Sequence, residues 1–197
     1  MAYNPRDFYF KKAKERDFAA RSVFKLEEID GRFRILRKGD KILDLGCAPG
    51  SWSQYASKAV GPGGAIVGID LQKVALTLPN VMFVQGDAFD EATVSKVAAD
   101  AGIAAFDVVM SDMAPKTTGI RVTDQQRSYD LCRRALDVAE RRLKPGGNFV
   151  VKLFQSGSFE DYLKTVRARF ERVEILRPKS TRKASFEIFI IGIKKRA

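Results

Sequence analysis

The 197-residue sequence predicts an α/β fold, namely a mostly parallel, seven-stranded sheet with helices on both faces and a C-terminal antiparallel hairpin. Short apolar segments alternate with segments of helical periodicity, as in successive βαβ units. The last two apolar segments are separated only by residues 177–185. A parallel crossover needs about a dozen residues or more. We therefore expect these two strands to pair antiparallel.

The predicted strands are short apolar runs at Lys41–Leu45, Ala65–Asp70, Val81–Gln85, Phe106–Ser111, Asn148–Phe154, Arg172–Leu176 and Glu187–Ile193. The predicted helices cover residues 21–31, 51–60, 91–101, 123–143 and 158–169. Lys144-Pro145-Gly146-Gly147 ends the fourth helix and leads into the fifth strand. No repeat or linker interrupts the chain, so we expect a single domain over residues 1–197, with a basic N-terminal segment at about residues 1–20.

Composition excludes several classes of function. The chain has no histidine, which excludes Ser-His-Asp and Cys-His catalysis and any His-ligated metal site, and we expect no metal. Its two cysteines, Cys47 and Cys132, stand among apolar residues and are expected to be buried free thiols. No apolar run is long enough to span a membrane, and the N-terminus lacks the features of a secretion signal. We expect a cytoplasmic protein.

Positive charge is concentrated at the two ends of the chain. Residues 1–41 carry a net charge of +5 and residues 164–197 a net charge of +8, whereas residues 42–163 carry −2. A solubilising surface is one explanation. A charge this uneven more often marks a polyanionic partner, and we expect a nucleic acid.

The segment Asp44-Leu45-Gly46-Cys47-Ala48-Pro49-Gly50-Ser51-Trp52 predicts a ligand loop between a strand and a helix. Gly46 and Gly50 allow a close approach to the backbone, and the helix N-terminus offers free N–H groups. The spacing departs from the dinucleotide fingerprint, which argues against NAD. The Asp44 carboxylate would repel a pyrophosphate but suits an ammonium or a sulfonium ion.

Two further carboxylates end the next two strands. Asp70 is placed to accept hydrogen bonds from both ribose hydroxyls of an adenosine, and Asp87 from an adenine amine. Because ligands bind at the carboxyl edge of such sheets, Asp44, Asp70 and Asp87 together indicate an adenosine-containing cofactor. The strand arrangement is that of Rossmann-like class I methyltransferases, an analogy of layout.

Lys152 interrupts an apolar run that should form a central strand. It could face solvent at the strand end, but a desolvated lysine can act as a general base. Asp112 ends the fourth strand, Lys25 lies in the first predicted helix, and Glu187 opens the last strand. Alone, Lys25 and Glu187 suit an ordinary charged surface.

These motifs resemble the FtsJ-type (RrmJ/RlmE) family of ribosomal RNA 2′-O-ribose methyltransferases over almost the whole chain. The matching segments are residues 8–14, 21–26, 43–54, 111–115, 151–154 and 185–187. The resemblance implies a catalytic tetrad of Lys25, Asp112, Lys152 and Glu187. It also implies contacts to S-adenosylmethionine from Gly50, Trp52, Asp70, Asp87 and Asp112. Family members often have glycine where this chain has Ser51, and alanine where it has Cys47.

The resemblance further implies methylation of a ribose 2′-hydroxyl in large-subunit (23S) rRNA, at a uridine of the A-loop, in support of late ribosome assembly. Lys152 would act as the base, and we expect a monomer. Basic residues at both ends would contact phosphates, namely Arg6, Lys11, Lys12, Lys14, Arg32, Arg34, Lys179, Arg182 and Lys183. Phe8, Tyr9 and Phe10 could stack on a base or anchor the N-terminal segment. The alternatives are a 2′-O-methyltransferase of tRNA or another RNA, and a non-catalytic RNA-binding assembly factor.

Overall fold

The computed structural model describes residues 8–157 and 159–197, and Arg6 lies outside them. Within these residues, six helices accompany seven strands. The helices are α1 (Phe8–Glu15), α2 (Val23–Phe33), α3 (Ser51–Val60), α4 (Glu91–Asp100), α5 (Arg121–Arg142) and α6 (Phe159–Arg169). The strands are β1 (Lys41–Leu45), β2 (Ala65–Asp70), β3 (Val81–Gln85), β4 (Phe106–Ser111), β5 (Leu143–Phe154), β6 (Phe170–Leu176) and β7 (Glu187–Lys195).

All seven strands join one sheet in the order β3-β2-β1-β4-β5-β7-β6. The first five strands pair parallel, and β7 lies antiparallel between β5 and β6. The predicted fold class and its C-terminal antiparallel hairpin are confirmed. The strand order reverses direction between β1 and β4, and open sheets of this kind bind ligands in the crevice at such a point.

Two apolar cores cover the two faces of the sheet. On one face, α4, α5 and α6 pack on alternate strand residues such as Leu43, Val109 and Val151. On the other face, α2 and α3 pack on the intervening residues, such as Ile42 and Val150. This alternation is the two-residue period of a strand buried on both sides. The prediction of helices on both faces is confirmed.

The two largest differences from the predicted elements lie at α1 and at the start of β5, while α2, α4, α5, β6 and β7 differ by one or two residues at their ends. Helix α1 was not expected, and Tyr9 and Ala13 attach it to a small core formed with Phe18 and Phe24. Strand β5 begins five residues earlier than predicted, at Leu143, which pairs with Phe106 of β4. The Lys144–Gly147 turn signal therefore falls inside an extended, irregular strand.

Neither cysteine forms a disulfide. Cys47 and Cys132 are buried free thiols, as predicted. Burial raises the pKa of each thiol well above its usual range. Neither side chain is therefore a ready thiolate nucleophile.

Candidate active site

The four predicted catalytic residues meet at the carboxyl edge of the sheet. Lys25 stands in the first turn of α2, Asp112 follows β4, Lys152 lies in β5, and Glu187 opens β7. Glu187 Oε1 lies 2.7 Å from Lys25 Nζ. Asp112 Oδ1 lies 3.7 Å from Lys25 Nζ and 3.0 Å from Lys152 Nζ. The four side chains thus form a continuous row of alternating charge, which we call the catalytic row.

This row is buried. Lys152 is 7% exposed, and Lys25 and Glu187 are each 9% exposed. Solvent-facing positions are therefore excluded for all three residues, and buried charges of this kind require partners. Lys152 Nζ also donates a hydrogen bond to the main-chain carbonyl of Asp112. Within the described residues, the buried Asp112 Oδ1 forms ion pairs but accepts no hydrogen bond.

A cavity of about 410 Å³ opens beside this row, at the point where the strand order reverses. Gly46, Asp70, Asp87 and Asp112, all predicted to contact a cofactor, are among the residues that line it. Gly46 has a φ of +71°, and a Cβ there would lie 2.0 Å from Met113 Cγ. Only glycine fits this position, because both the backbone conformation and the space exclude a side chain.

The carboxylates of Asp70 and Asp87 are held by backbone N–H groups. Asp70 Oδ2 accepts from Ala48 N at 2.9 Å, and its Oδ1 accepts from Gln72 N at 2.7 Å. Asp87 Oδ1 accepts from Phe89 N at 2.9 Å. Each carboxylate oxygen has further lone pairs. Both groups are therefore oriented in advance and can still accept hydrogen bonds from a ligand in the cavity.

Asp44 is buried beneath the loop between β1 and α3, where it is 1% exposed. It lines a small second cavity together with Gly46, Trp52 and Asp112. Ser53 Oγ donates to Asp44 Oδ2 at 2.6 Å. Burial, with smaller contributions from the Asp112 and Asp70 carboxylates, raises the pKa of Asp44 to about 7, against the effect of the Ser53 hydrogen bond. The site therefore favours a cation next to Asp44.

Two further residues predicted to contact the cofactor do not line the larger cavity. Gly50 caps α3 with a φ of +105° and faces Leu76 and Val74, and it lines neither cavity. Trp52 lines only the small cavity, and its Nε1 donates to Ser22 O at 2.9 Å. Trp52 thereby attaches the ligand loop to the beginning of α2, the helix that carries Lys25.

The larger cavity is also lined by residues that the sequence analysis did not predict. Phe89, Met113, Leu131 and Arg134 are among them. Arg134 stacks on Phe89 at 4.1 Å and lies 3.5 Å from Asp87 Oδ2. Phe89 could have been suspected, because it follows Asp87 closely at the same strand end. Leu131 and Arg134 lie on α5, and no local sequence pattern indicates that residues of α5 line the cavity.

The basic ends of the chain come together beside the catalytic row. Lys12 of α1, Arg32 of α2 and Lys179 of the β6–β7 loop line one cavity of about 320 Å³. Arg21, Lys25, Arg182 and Glu187 are among the residues that line a neighbouring cavity of about 270 Å³. Glu28 joins the two ends by accepting from Lys179 N at 2.7 Å. We call this surface the basic face, formed by Lys12, Arg21, Arg32, Lys179 and Arg182.

The aromatic residues of α1 divide between anchoring and exposure. Tyr9 packs on Phe24 with ring centroids 5.5 Å apart, whereas Phe8 is 69% exposed. In the described residues, no helix has the length and apolar character needed to cross a bilayer. Within the same residues, no group of three or more Cys, Asp and Glu side chains could hold a metal ion.

Comparison with protein families gives a match over most of the chain. Residues 18–195 match the model of the FtsJ-like methyltransferase family. A protein of Bdellovibrio bacteriovorus named ribosomal RNA large subunit methyltransferase E is 53% identical over 196 residues, covering 100% of both chains. A protein of the same name from Syntrophobacter fumaroxidans is 47% identical over 197 residues, covering 100% of this chain and 99% of its own.

Solved structures agree with this match. A ribosomal RNA methyltransferase from Plasmodium falciparum superposes with a TM-score of 0.81 at 26% identity, covering 90% of this chain and 98% of that one. Fibrillarin from Aeropyrum pernix, solved with bound S-adenosyl-L-methionine, superposes with a TM-score of 0.58 at 18% identity, covering 87% and 76%. This second likeness establishes the shared Rossmann-like fold alone.

Proposed function

Because the chain belongs to the FtsJ-like methyltransferase family, we propose that it methylates a ribose 2′-hydroxyl of large-subunit (23S) rRNA with S-adenosylmethionine. The observation that carries the proposal is the buried catalytic row beside the cavity of about 410 Å³. The names of the close relatives support the rRNA substrate. The resemblance described above supports a uridine of the A-loop, modified late in subunit assembly. We also expect a cytoplasmic, monomeric enzyme.

The two cavities have the chemistry that S-adenosylmethionine requires. Asp70 would accept hydrogen bonds from the ribose hydroxyls, and Asp87 from the adenine amine, with Phe89 offering an apolar surface to the adenine. Asp44, in the small cavity, would face a positive group of the cofactor. When bound, S-adenosylmethionine supplies an electrophilic methyl group on a sulfonium that leaves as neutral S-adenosylhomocysteine.

The residues of the catalytic row then need only orient the ribose and remove one proton. Lys152 would accept the proton of the 2′-hydroxyl at Nζ as the oxygen attacks, once its own ammonium has given up a proton, and Asp112, 3.0 Å away, would stabilise the ammonium ion that forms. The Asp112 carboxylate, which lines the larger cavity, would orient the incoming hydroxyl. Lys25 and Glu187, 2.7 Å apart, hold the far end of the row and position the ribose.

RNA would approach across the basic face. Its lysines and arginines come from α1, from α2 and the residues just before it, and from the β6–β7 loop. Lys25 and Glu187 line the same cavity as Arg21 and Arg182. Phosphate contacts on this face would position the strand, while the catalytic row selects the hydroxyl.

Salt should separate RNA binding from cofactor binding. If about three phosphates are neutralised, raising the salt from about 50 to 200 mM should weaken RNA binding by about 20-fold, because counterion release becomes less favourable as the salt concentration rises. Cofactor affinity should change by less than about twofold, since its carboxylates are buried or held by the backbone. Filter binding and calorimetry over this range measure the two slopes.

A pair of lysine variants provides the control. Lys179→Ala should reduce the RNA salt slope by about 0.7, whereas Lys164→Ala, on the exposed surface of α6, should leave it unchanged. Equal salt slopes for RNA and cofactor would contradict this division between the basic face and the cavities.

The proposed function is tested with S-adenosylmethionine carrying a labelled methyl group. The protein is incubated separately with naked rRNA, with large subunits from a strain that lacks the modification, and with tRNA. We expect alkali-resistant label, as 2′-O-methylation gives, in large-subunit rRNA. Label in tRNA would keep the reaction and overturn the rRNA target. Cofactor binding without label in any RNA would favour an assembly factor.

A further inference from the structure

The start of helix α5 departs from the usual rules for a helix N-terminus. Ile120 occupies the N-cap, and it offers no side-chain hydrogen bond. Arg121 follows in the first turn, where the positive end of the helix dipole disfavours a cation. Ile120 is 63% exposed and Val122 is 75% exposed. Departures of this kind from local stability tend to occur at functional positions.

The segment is nevertheless held firmly. The buried Asp124 accepts hydrogen bonds from Thr118 N at 2.7 Å and from Gly119 N at 3.2 Å. These bonds fix the loop that leads from Asp112 to α5. Ile120, Arg121 and Val122 are therefore displayed from a supported backbone, as a binding surface requires.

Arg121 stacks on an aromatic pair beside the catalytic row. Its guanidinium carbon lies 5.3 Å from the centre of the Phe186 ring, and Phe186 packs edge-to-face on Phe154 at 4.9 Å. Phe186 directly precedes Glu187, and Phe154 is paired with Glu187 across β5 and β7. Phe154 also follows Lys152 by two residues, about 7 Å further along the strand. The aromatic pair thus lies two strand residues beyond Lys152, a spacing of about one nucleotide.

We propose that Arg121 and Phe186 form a stacking site for an unpaired RNA base next to the target nucleotide, an inference that rests on the function proposed above. The base lies on the exposed plane of the Arg121 guanidinium, which Phe186 supports from behind. Arginine planes and aromatic rings are the surfaces on which proteins stack splayed RNA bases. The exposed side chains of Ile120 and Val122 provide apolar contacts at the edges of the base.

The test uses an RNA that the wild-type protein methylates, with 2-aminopurine replacing each neighbour of the target nucleotide in turn. We expect stacking to quench the fluorescence of one of the two positions. Arg121→Lys keeps the charge but removes the plane, and Phe186→Leu keeps apolar volume but removes the ring. Each should abolish the quenching and raise KM for RNA by about tenfold, with kcat and cofactor affinity unchanged. Combining them should add little, because both disrupt one stack.

Arg133→Lys is the matched control, since Arg133 is exposed on the same helix. It should behave as the wild type, and thermal melts should show that all variants fold. Unchanged quenching and KM in Arg121→Lys would overturn the stacking site while leaving the proposed function intact. A defect seen only on assembled subunits, and not on naked RNA, would assign the surface to a protein contact and overturn it too. A wild-type protein that methylates no RNA would overturn both proposals.

Discussion

Lys152→Ala is expected to reduce the rate of methyl transfer by about 10²- to 10⁴-fold, the contribution of a well-placed general base. Cofactor affinity should remain nearly unchanged, because Lys152 lines neither the large nor the small cavity. The loss should appear in kcat, since the proton moves only as the bond to the methyl group forms. Single-turnover transfer of a labelled methyl group, with calorimetry for the cofactor, measures both quantities.

Removing one member of a buried ion pair also destabilises a protein, so stability has to be measured alongside. Lys152→Arg keeps a cation near Asp112 but cannot supply a neutral amine, because arginine stays protonated. If Lys152 is the base, Lys152→Arg remains inactive while folded. Lys96→Ala, in an exposed pair with Asp100, should be fully active. Substantial turnover by Lys152→Arg would assign the residue an electrostatic role instead.

The strands were predictable because each is a continuous apolar run with a short loop at its end. The predicted and observed bounds are identical for β1, β2, β3 and β4, in which the paired residues coincide with the apolar run. β5 begins earlier than predicted because Leu143 pairs with Phe106 of β4. The turn-forming residues after Leu143 give no indication of this pairing. Helix α1 was missed because its eight residues depend on packing against Phe18 and Phe24 rather than on local preference.

The catalytic row could be predicted because strand ends place side chains at a common edge. Asp112, Lys152 and Glu187 each lie near the end of a strand at that edge. The family motif linked them to Lys25. The distances among them depend on side-chain packing and could not be predicted. The burial of Lys25 and Glu187 could not be predicted either, because their local sequence patterns also suit an exposed, charged surface.

The roles within the ligand loop were harder to assign. Trp52 belongs to a motif that the resemblance links to the cofactor, yet its indole donates to Ser22 O and it is buried. The hydroxyls of Ser22 and Ser51 are also 2.9 Å apart. These contacts join α3 to α2 across about thirty residues of chain, and no local pattern indicates such long-range hydrogen bonds.

Asp44 is expected to make cofactor binding depend on pH. In the free protein its pKa is raised to about 7, so near pH 6 most molecules carry a neutral Asp44. A cationic group of S-adenosylmethionine beside it favours the ionised form, so binding releases a proton below pH 7. Affinity should therefore rise by about tenfold between pH 6 and pH 8. Calorimetry in buffers of different ionisation enthalpy counts the protons released.

Asp44→Asn separates this charge from the shape of the site. The asparagine amide oxygen can still accept the hydrogen bond from Ser53, but the side chain can no longer ionise. We expect roughly 100-fold weaker cofactor binding at pH 8, the scale of a lost charge-assisted contact, and little change in affinity between pH 6 and pH 8. If the cofactor affinity of the wild type does not change with pH, or if Asp44→Asn binds the cofactor as tightly as the wild type, the cationic group of the cofactor lies elsewhere.

The same carboxyl gives an opposite trend in the stability of the free protein, which makes the two effects distinguishable. Because burial raises the pKa of Asp44 from 3.8 to about 7, the folded state binds this proton more tightly than the unfolded state. The associated stability is fully present below about pH 4 and is lost as the pH rises through about 7. The free protein thus loses stability over the same range in which its cofactor affinity grows. Bound cofactor should offset that loss, and Asp44→Asn should abolish the dependence in both measurements.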